Sequence, residues 1–189
     1  AERVNKVARG AAMMTETEVD IIFKKACSYF IPNETVSYDV GHAMETVPLP
    51  DYTEEDIAYA QGFVDTFDSM PSDGRKEEVL RTNVIPYAPS DNIMTGSTDV
   101  ADVSMNCPTA WFFASTYAKG TPFHSWQMVA QGKLPLAHKM TRYAAKVMAA
   151  GVVELMTNAE LLAKAQAEFR DRVGPTGYVP PIPQGIVPT

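Results

Sequence analysis

Cysteine is scarce in this chain: only Cys27 and Cys107 occur among 189 residues. Two thiols make no disulfide framework, and a chain of this length can bury a sizeable core without one. The expectation is two buried free thiols in a reducing cytoplasm. Positive charge is also in short supply, with 16 Lys and Arg against 23 Asp and Glu, a net charge of −7. A nucleic-acid or anionic-membrane partner would demand a basic face, so both are excluded. No apolar run reaches the length of a transmembrane helix, and the start, Ala1-Glu2-Arg3-Val4, lacks the apolar stretch of a signal peptide. That start also lacks an initiator Met and opens in mid-pattern, as if sequence upstream had been removed. Glycine-rich phosphate loops, Cys-x-x-Cys pairs and Gly-x-Ser-x-Gly are all absent, which removes the specific signals for nucleotide, redox and serine-hydrolase chemistry.

What is present is ordinary for a globular protein, at 46% hydrophobic and 21% charged residues. Val4, Val7, Ala8, Ala11 and Ala12 share one face and predict a helix over 2–14. From Thr17 the period changes to two: Val19, Ile21, Phe23, Cys27, Tyr29 and Ile31 alternate, as in a long half-buried strand ended by Pro32-Asn33. A lone helix and strand cannot satisfy each other, so a larger α+β unit is expected. Residues 34–52 hold two prolines and no sustained period, which predicts a linker or crossover. Thr53 reads as an N-cap for a helix carrying Ile57, Ala60, Phe63, Val64 and Phe67, closed by a turn at Met70 to Gly74. Residues 79–95 carry no clear pattern. Gly96 to Ser104 reads as a loop entering a helix or strand, and the aromatic run Thr109 to Tyr117 as a buried strand. A turn at Lys119 to Pro122 follows. The most regular signal is helical, from Met140 through Tyr143, Val147, Gly151 and Leu155. Thr157 and Glu160 then suggest a capping box opening a helix to Phe169. The tail from Gly174 holds five prolines and predicts extended surface chain.

Of the three histidines, His42 and His138 have no partner at ligand spacing, and surface or helix-face roles are expected of both. His124 follows a predicted buried strand and a Gly-Thr-Pro turn, a place where α/β proteins put functional groups. It reads either as a ligand or catalytic residue, or as a structural histidine packed beside Trp126. Asp99 and Asp102, three apart, could bind a metal, work as acid and base, or orient a histidine. Helix capping by Ser97, Thr98 or Asp99 explains the same pattern and, on these residues alone, is the stronger reading. The acid pairs Glu54-Glu55 and Glu77-Glu78 fit solvated helix positions, and the ten methionines fit core filling.

Several blocks together resemble a known family. They are Ala8 to Thr17, Tyr29 to Asn33, Gly96-Ser97-Thr98-Asp99 through Ser104, Gly120-Thr121-Pro122-Phe123-His124-Ser125-Trp126-Gln127, Ala130 to Lys133, and Ala144 to Ala149. In this order they resemble the C-terminal portion of the aminobenzoyl-glutamate utilisation branch of the co-catalytic zinc metallopeptidases. That family also holds aminoacylases and carboxypeptidase-G-type amidohydrolases. The resemblance implies an α/β fold: the C-terminal half of a zinc-peptidase-like mixed-sheet catalytic domain over 37–189. Before it, residues 1–36 would be the last helix and strand of a ferredoxin-like lid and dimerisation domain. It implies that His124 is a ligand of a two-metal centre of Zn or Mn ions. Asp99, with Ser97 and Thr98 beside it, would line the substrate site or support a ligand, and Asn33 would help hold substrate where the lid meets the site. Ala101 and Phe123 stand where glycine is expected, so loop shape there should differ.

The family's remaining ligands and its general base come from an upstream His-x-Asp and Glu-Glu half that this sequence lacks. One imidazole cannot hold a metal pair. The resemblance therefore implies a fragment of a metal-dependent amidohydrolase acting on N-acyl or aminobenzoyl amino acids, with no catalytic residue of its own and no activity alone. Its partners would be the missing N-terminal half, a small acyl-amino-acid substrate, and further copies or subunits of the parent. The alternative is a non-catalytic binding or assembly protein derived from the same half.

Overall fold

The computed structural model describes residues 1–67, 78–90 and 93–186. Among these residues seven helices run in the order α1 (Glu2–Met14), α2 (Glu34–Thr46), α3 (Glu54–Val64), α4 (Val100–Ser104), α5 (Trp126–Gln131), α6 (Pro135–Thr157) and α7 (Ala159–Val173). Among the described residues there is no strand and no sheet. The expected α/β mixed-sheet domain, and the lid strand before it, are therefore corrected to a helical fold. The reason is visible in the main chain. Residues 17–31 and 109–117 carry strand-like side-chain patterns, but a strand exists only where a neighbouring backbone answers its N–H and C=O groups. Among the described residues no ladder of such bonds forms, and two of the N–H groups go to side chains: Ser28 N–H donates to Asp102 Oδ1 (3.2 Å) and Ile31 N–H to Ser104 Oγ (2.9 Å).

Residues 34–52, expected as a linker, hold a full helix instead. The two prolines, Pro48 and Pro50, lie beyond its end, and Asn33 caps its start by accepting from Val36 N–H at 3.0 Å. Buried Ala43, with partly buried Val40 and Met44, gives α2 an apolar side that packs against Met140, Tyr143 and Val147 of α6. Gly41 is required there, since a Cβ would sit 2.9 Å from Tyr87 Cβ.

The core lies in two clusters. Met140, Tyr143 and Val147 of α6 pack with Ala43 of α2, and Phe112 and Ala114 lie against them. Ala60 of α3, Leu80, Ala118, Leu134 and Leu136 form the second cluster, with Tyr52 touching both. The helical expectation over 140–156 is met, and Pro135 starts the helix one turn earlier, at the position where a missing N–H costs least. Thr53 caps α3 as expected and makes a capping box with Asp56. Lys139 of α6 reaches that same Asp56 carboxylate and the Asp51 carbonyl (3.1 Å). Burial would raise the Asp56 pKa, but Lys139 and the Thr53 bonds outweigh it and hold the group below its ordinary 3.8. Asn158, rather than Thr157, caps α7, accepting from Leu161 N–H at 3.0 Å. The predicted turn at Met70 to Gly74 and residue Glu77 lie outside the described residues.

Glu168 of α7 closes the same N-terminal end of α2 that Asn33 caps. Its carboxylate accepts from the N–H groups of Glu34 and Thr35 and from the Thr35 hydroxyl, at 2.6, 2.9 and 2.7 Å. An anion at a helix N-terminus answers free donors and the helix dipole together. Arg172 pairs with Glu168 (2.9 Å) and Glu34 (2.7 Å), tying the two helices. Burial pushes the Glu168 pKa up, yet these bonds leave it below its ordinary 4.5.

Candidate functional site

His124 sits on a turn that the fold holds firmly. Gln131, at the end of α5 and fully buried, accepts from Ala118 N–H (2.6 Å) and donates to Thr121 Oγ1 (3.0 Å) and the Gln127 carbonyl (3.1 Å). Thr121 Oγ1 in turn donates to the Ala118 carbonyl at 2.7 Å. One amide thus locks the Ala118–Thr121 bend, and Gly120 at φ 84 supplies the left-handed step the bend needs. Ser125 caps α5, accepting from Met128 N–H at 3.2 Å and donating to the Pro122 carbonyl at 2.6 Å. Between these two anchors His124 is left exposed at φ 58, a conformation few non-glycine residues adopt. The packed structural histidine is not what forms. Trp126 turns away to meet Phe63 of α3, ring centres 6.2 Å apart. Phe123, where glycine was expected, has no left-handed backbone and stacks edge-on against Tyr117 at 6.1 Å.

The Gly96 to Ser104 loop does enter a helix. Thr98 Oγ1 accepts from Val100 N–H at 3.3 Å, while Asp99 takes the cap position without a side-chain cap bond. Ser97 and Asp99 are exposed and Thr98 is half-buried, so the Asp99 carboxylate is free of the capping duty that offered its simplest explanation. Its neighbour Asp102 is committed: Oδ1 accepts from the Ser28 hydroxyl (2.7 Å), Ser28 N–H (3.2 Å) and the Tyr178 hydroxyl (3.0 Å). These bonds, the Ser28 hydroxyl foremost, hold the Asp102 pKa below its ordinary 3.8. The aspartate joins three distant segments. Ala101, the other residue standing where glycine was expected, is buried in α4 without left-handed backbone.

Asn33 is buried, at 2% exposure, and each polar side-chain atom has a structural partner. Oδ1 caps α2 and Nδ2 donates to the Ala165 carbonyl (2.9 Å), while the main-chain N–H donates to the Thr109 carbonyl (3.0 Å). In this fold Asn33 is a joint. No hydrogen bond or ion pair links His124, Asp99 or Asn33 to one another among the described residues. None of them lines the cleft of about 360 Å³ between residues 81–88 and 111–117, which is walled by Trp111, Phe112, Tyr87 and Tyr143 with Arg81 at its side. No group of three or more His, Cys, Asp or Glu able to hold a metal ion occurs among the described residues. His124 is thus an accessible imidazole that no other metal-ligating group joins among the described residues. Two features are not legible in the sequence: the Gln131 clasp, whose only sign is an amide in a small-residue stretch, and the Asp102–Ser28–Tyr178 junction, spread too far along the chain to be seen.

No protein-family model matches this chain, and no solved structure matches it. A curated protein does. It is a subunit of the p-aminobenzoyl-glutamate hydrolase of Escherichia coli (strain K12), 37% identical over 207 aligned positions covering 100% of this chain and 43% of the relative. The chain spans less than half the length of that relative. Along its whole length this chain is similar to a p-aminobenzoyl-glutamate hydrolase subunit, consistent with a C-terminal portion of such a protein.

Proposed function

We propose that this chain is part of a metal-dependent amidohydrolase that cleaves the amide bond of N-acyl or aminobenzoyl amino acids, and that it is inactive alone. The likeness to a named hydrolase subunit across the whole chain is the observation that carries this reading. The His124 turn adds support, because a clasped bend that presents an exposed imidazole in left-handed backbone is strain of the kind found at functional sites. In the complete enzyme His124 is one ligand of two divalent ions, Zn or Mn, and the other ligands come from a polypeptide half that this chain does not contain. Such a pair polarises an amide carbonyl and makes hydroxide available near neutral pH. The chain's own contribution is positional. Gln131 holds the bend under His124, and the free Asp99, with Ser97 and Thr98, supplies polar groups for substrate or for a neighbouring ligand. Asn33 acts on the site through the α2–α7 joint. Residues 1–36 belong to the lid part and 37–189 to the catalytic part.

A multi-subunit parent fits the relative's name, which calls it a subunit. A cytoplasmic setting fits the two free thiols, although neither is fully buried as expected: Cys27 is half-buried and Cys107 exposed. No helix among the described residues is long and apolar enough to cross a membrane. The test is to co-express the chain with the part of the relative that it does not span, then measure bound metal and hydrolysis of aminobenzoyl-glutamate. Expected are two metals per complex and turnover, with His124→Ala lowering both, turnover by about tenfold or more. A well-formed complex with neither metal nor turnover supports a binding or assembly protein instead.

A further inference from the structure

Three aromatic rings meet on one side of α3. Tyr59, Gly62, Phe63 and Thr66 follow one another along that side and the turn after it, and Trp126 of α5 stands against them. Ring centres lie 6.1 Å apart for Tyr59 and Phe63, and 6.2 Å for Phe63 and Trp126. Phe63 packs against the core cluster of Ala60 and Leu134, while Tyr59 and Trp126 are 50% and 62% exposed. The five residues line an apolar trough of about 360 Å³, open to solvent, and none of them carries a charge. Gly62 supplies a second observation. It sits within α3, where glycine weakens a helix, yet nothing stands within 4 Å of the place a Cβ would take. Its backbone is not left-handed. Neither packing nor backbone asks for glycine there, and the space it leaves belongs to the trough.

The trough adjoins the His124 turn. Trp126 follows His124 by two residues, so their Cα atoms are at most about 7.6 Å apart. Gln127 Nε2 donates to Thr66 Oγ1 in a long bond of 3.4 Å, joining α5 to the turn after α3. The lining discriminates between the two halves of an acyl amino acid. The amino-acid half carries a carboxylate, whose burial calls for a cation, and the trough has none. A neutral flat ring suits it, because rings attract one another at centre spacings of about 4.5–7 Å. The space is ample, since a cavity of about 150 Å³ already holds benzene. We propose that Tyr59, Phe63 and Trp126, with Gly62 as the floor, are the subsite for an aromatic ring in the acyl group, and set a preference for aromatic over aliphatic acyl amino acids. This rests on the reading of the chain as part of an amidohydrolase with His124 at its metal site.

The experiment has two arms. In the 189-residue chain alone, benzamide (a neutral ring bearing an amide) should shift the indole N–H resonance of Trp126 saturably at millimolar concentration, and acetamide should not. Gly62→Leu fills the trough from an open position, so it should abolish that shift while the Tm stays level or rises, leucine being the better helix former. The second arm uses the complex with the part of the relative that the chain does not span, and compares aminobenzoyl-glutamate with acetyl-glutamate. Trp126→Ala and Gly62→Leu should each lower kcat/KM for the aromatic substrate by about tenfold or more, chiefly through KM, and move the aliphatic one by less than about twofold. Trp126→Phe should restore most of the loss. Equal losses on both substrates overturn the subsite, as does a Trp126 resonance that benzamide leaves unmoved. A response present in the chain alone and lost in the complex means that a protein segment fills the trough, and overturns it too. Hydrolysis with an unchanged substrate preference in the variants defeats the subsite alone; a benzamide response in a complex that hydrolyses neither substrate defeats the amidohydrolase reading alone.

Discussion

The α2–α6–α7 bundle and the extended run 110–117 are both rich in apolar residues, yet among the described residues they stand at opposite ends of polar satisfaction. At the start of α2 the helix-end donors have named partners: Asn33 at the cap, Glu168 on the first N–H groups, and Arg172 behind it. Along 110–117 the backbone has none among the described residues, and Trp111 and Phe113 lie open. Both halves of this contrast follow from one rule. Helical bonds are local, so a helix needs only a face to rest on, whereas an extended chain must borrow its bonds from elsewhere. Backbone bonding in this chain is therefore supplied within the helices and, among the described residues, left open along 110–117.

Four substitutions sharpen that contrast, measured by urea unfolding. Leu136→Ala, in the core with 1% exposure, should cost about 2–5 kcal/mol, while Phe113→Ala should cost under about 0.5 kcal/mol. Comparable losses from the two would break the division. Next, Asn33→Ala strips the α2 cap and leaves the Ala165 carbonyl without its donor, so a loss of about 1–3 kcal/mol is expected. A near-neutral result would show that the joint is not what couples α2 to α7. The smallest effect is conditional on pH. Glu168 has a folded pKa below its ordinary 4.5, so its stabilisation is complete above that value and is lost as pH falls through the lower folded value. Glu168→Gln should destabilise at pH 7 and flatten the acid side of the unfolding curve. An unchanged slope below pH 4.5 would place the acid sensitivity at Asp56 or Asp102 instead.

The helices are legible wherever a cap or a long period announces them. Thr53 with Asp56, and the run from Met140 to Leu155, need nothing beyond the chain. The α2 helix is not, because Pro48 and Pro50 mark a region that begins after the helix has ended. Alternation survives in 111–114, where Trp111 and Phe113 are exposed and Phe112 and Ala114 are half-buried. Residues 17–25 are exposed on both sides. The sheet that both patterns implied needs a second backbone that no single segment can encode. At the site, the residues around His124 are conspicuous as a block. That Gln131 reaches back ten residues to clasp Thr121, and that Asn33 is a buried joint, shows only after folding.

Local facts are written along the chain: acidic charge, the Thr53 cap, the long α6, the His124 block and the likeness to a hydrolase subunit. These depend on neighbours within a few residues or on the order of short blocks. Folding in three dimensions brought Asp102 to Ser28 and Tyr178, left Asp99 without a side-chain cap bond, and left 110–117 with no main-chain partner among the described residues. Those outcomes depend on groups 74 and 76 residues apart meeting in space, and on the rule that a backbone polar group is settled only by the partner that reaches it.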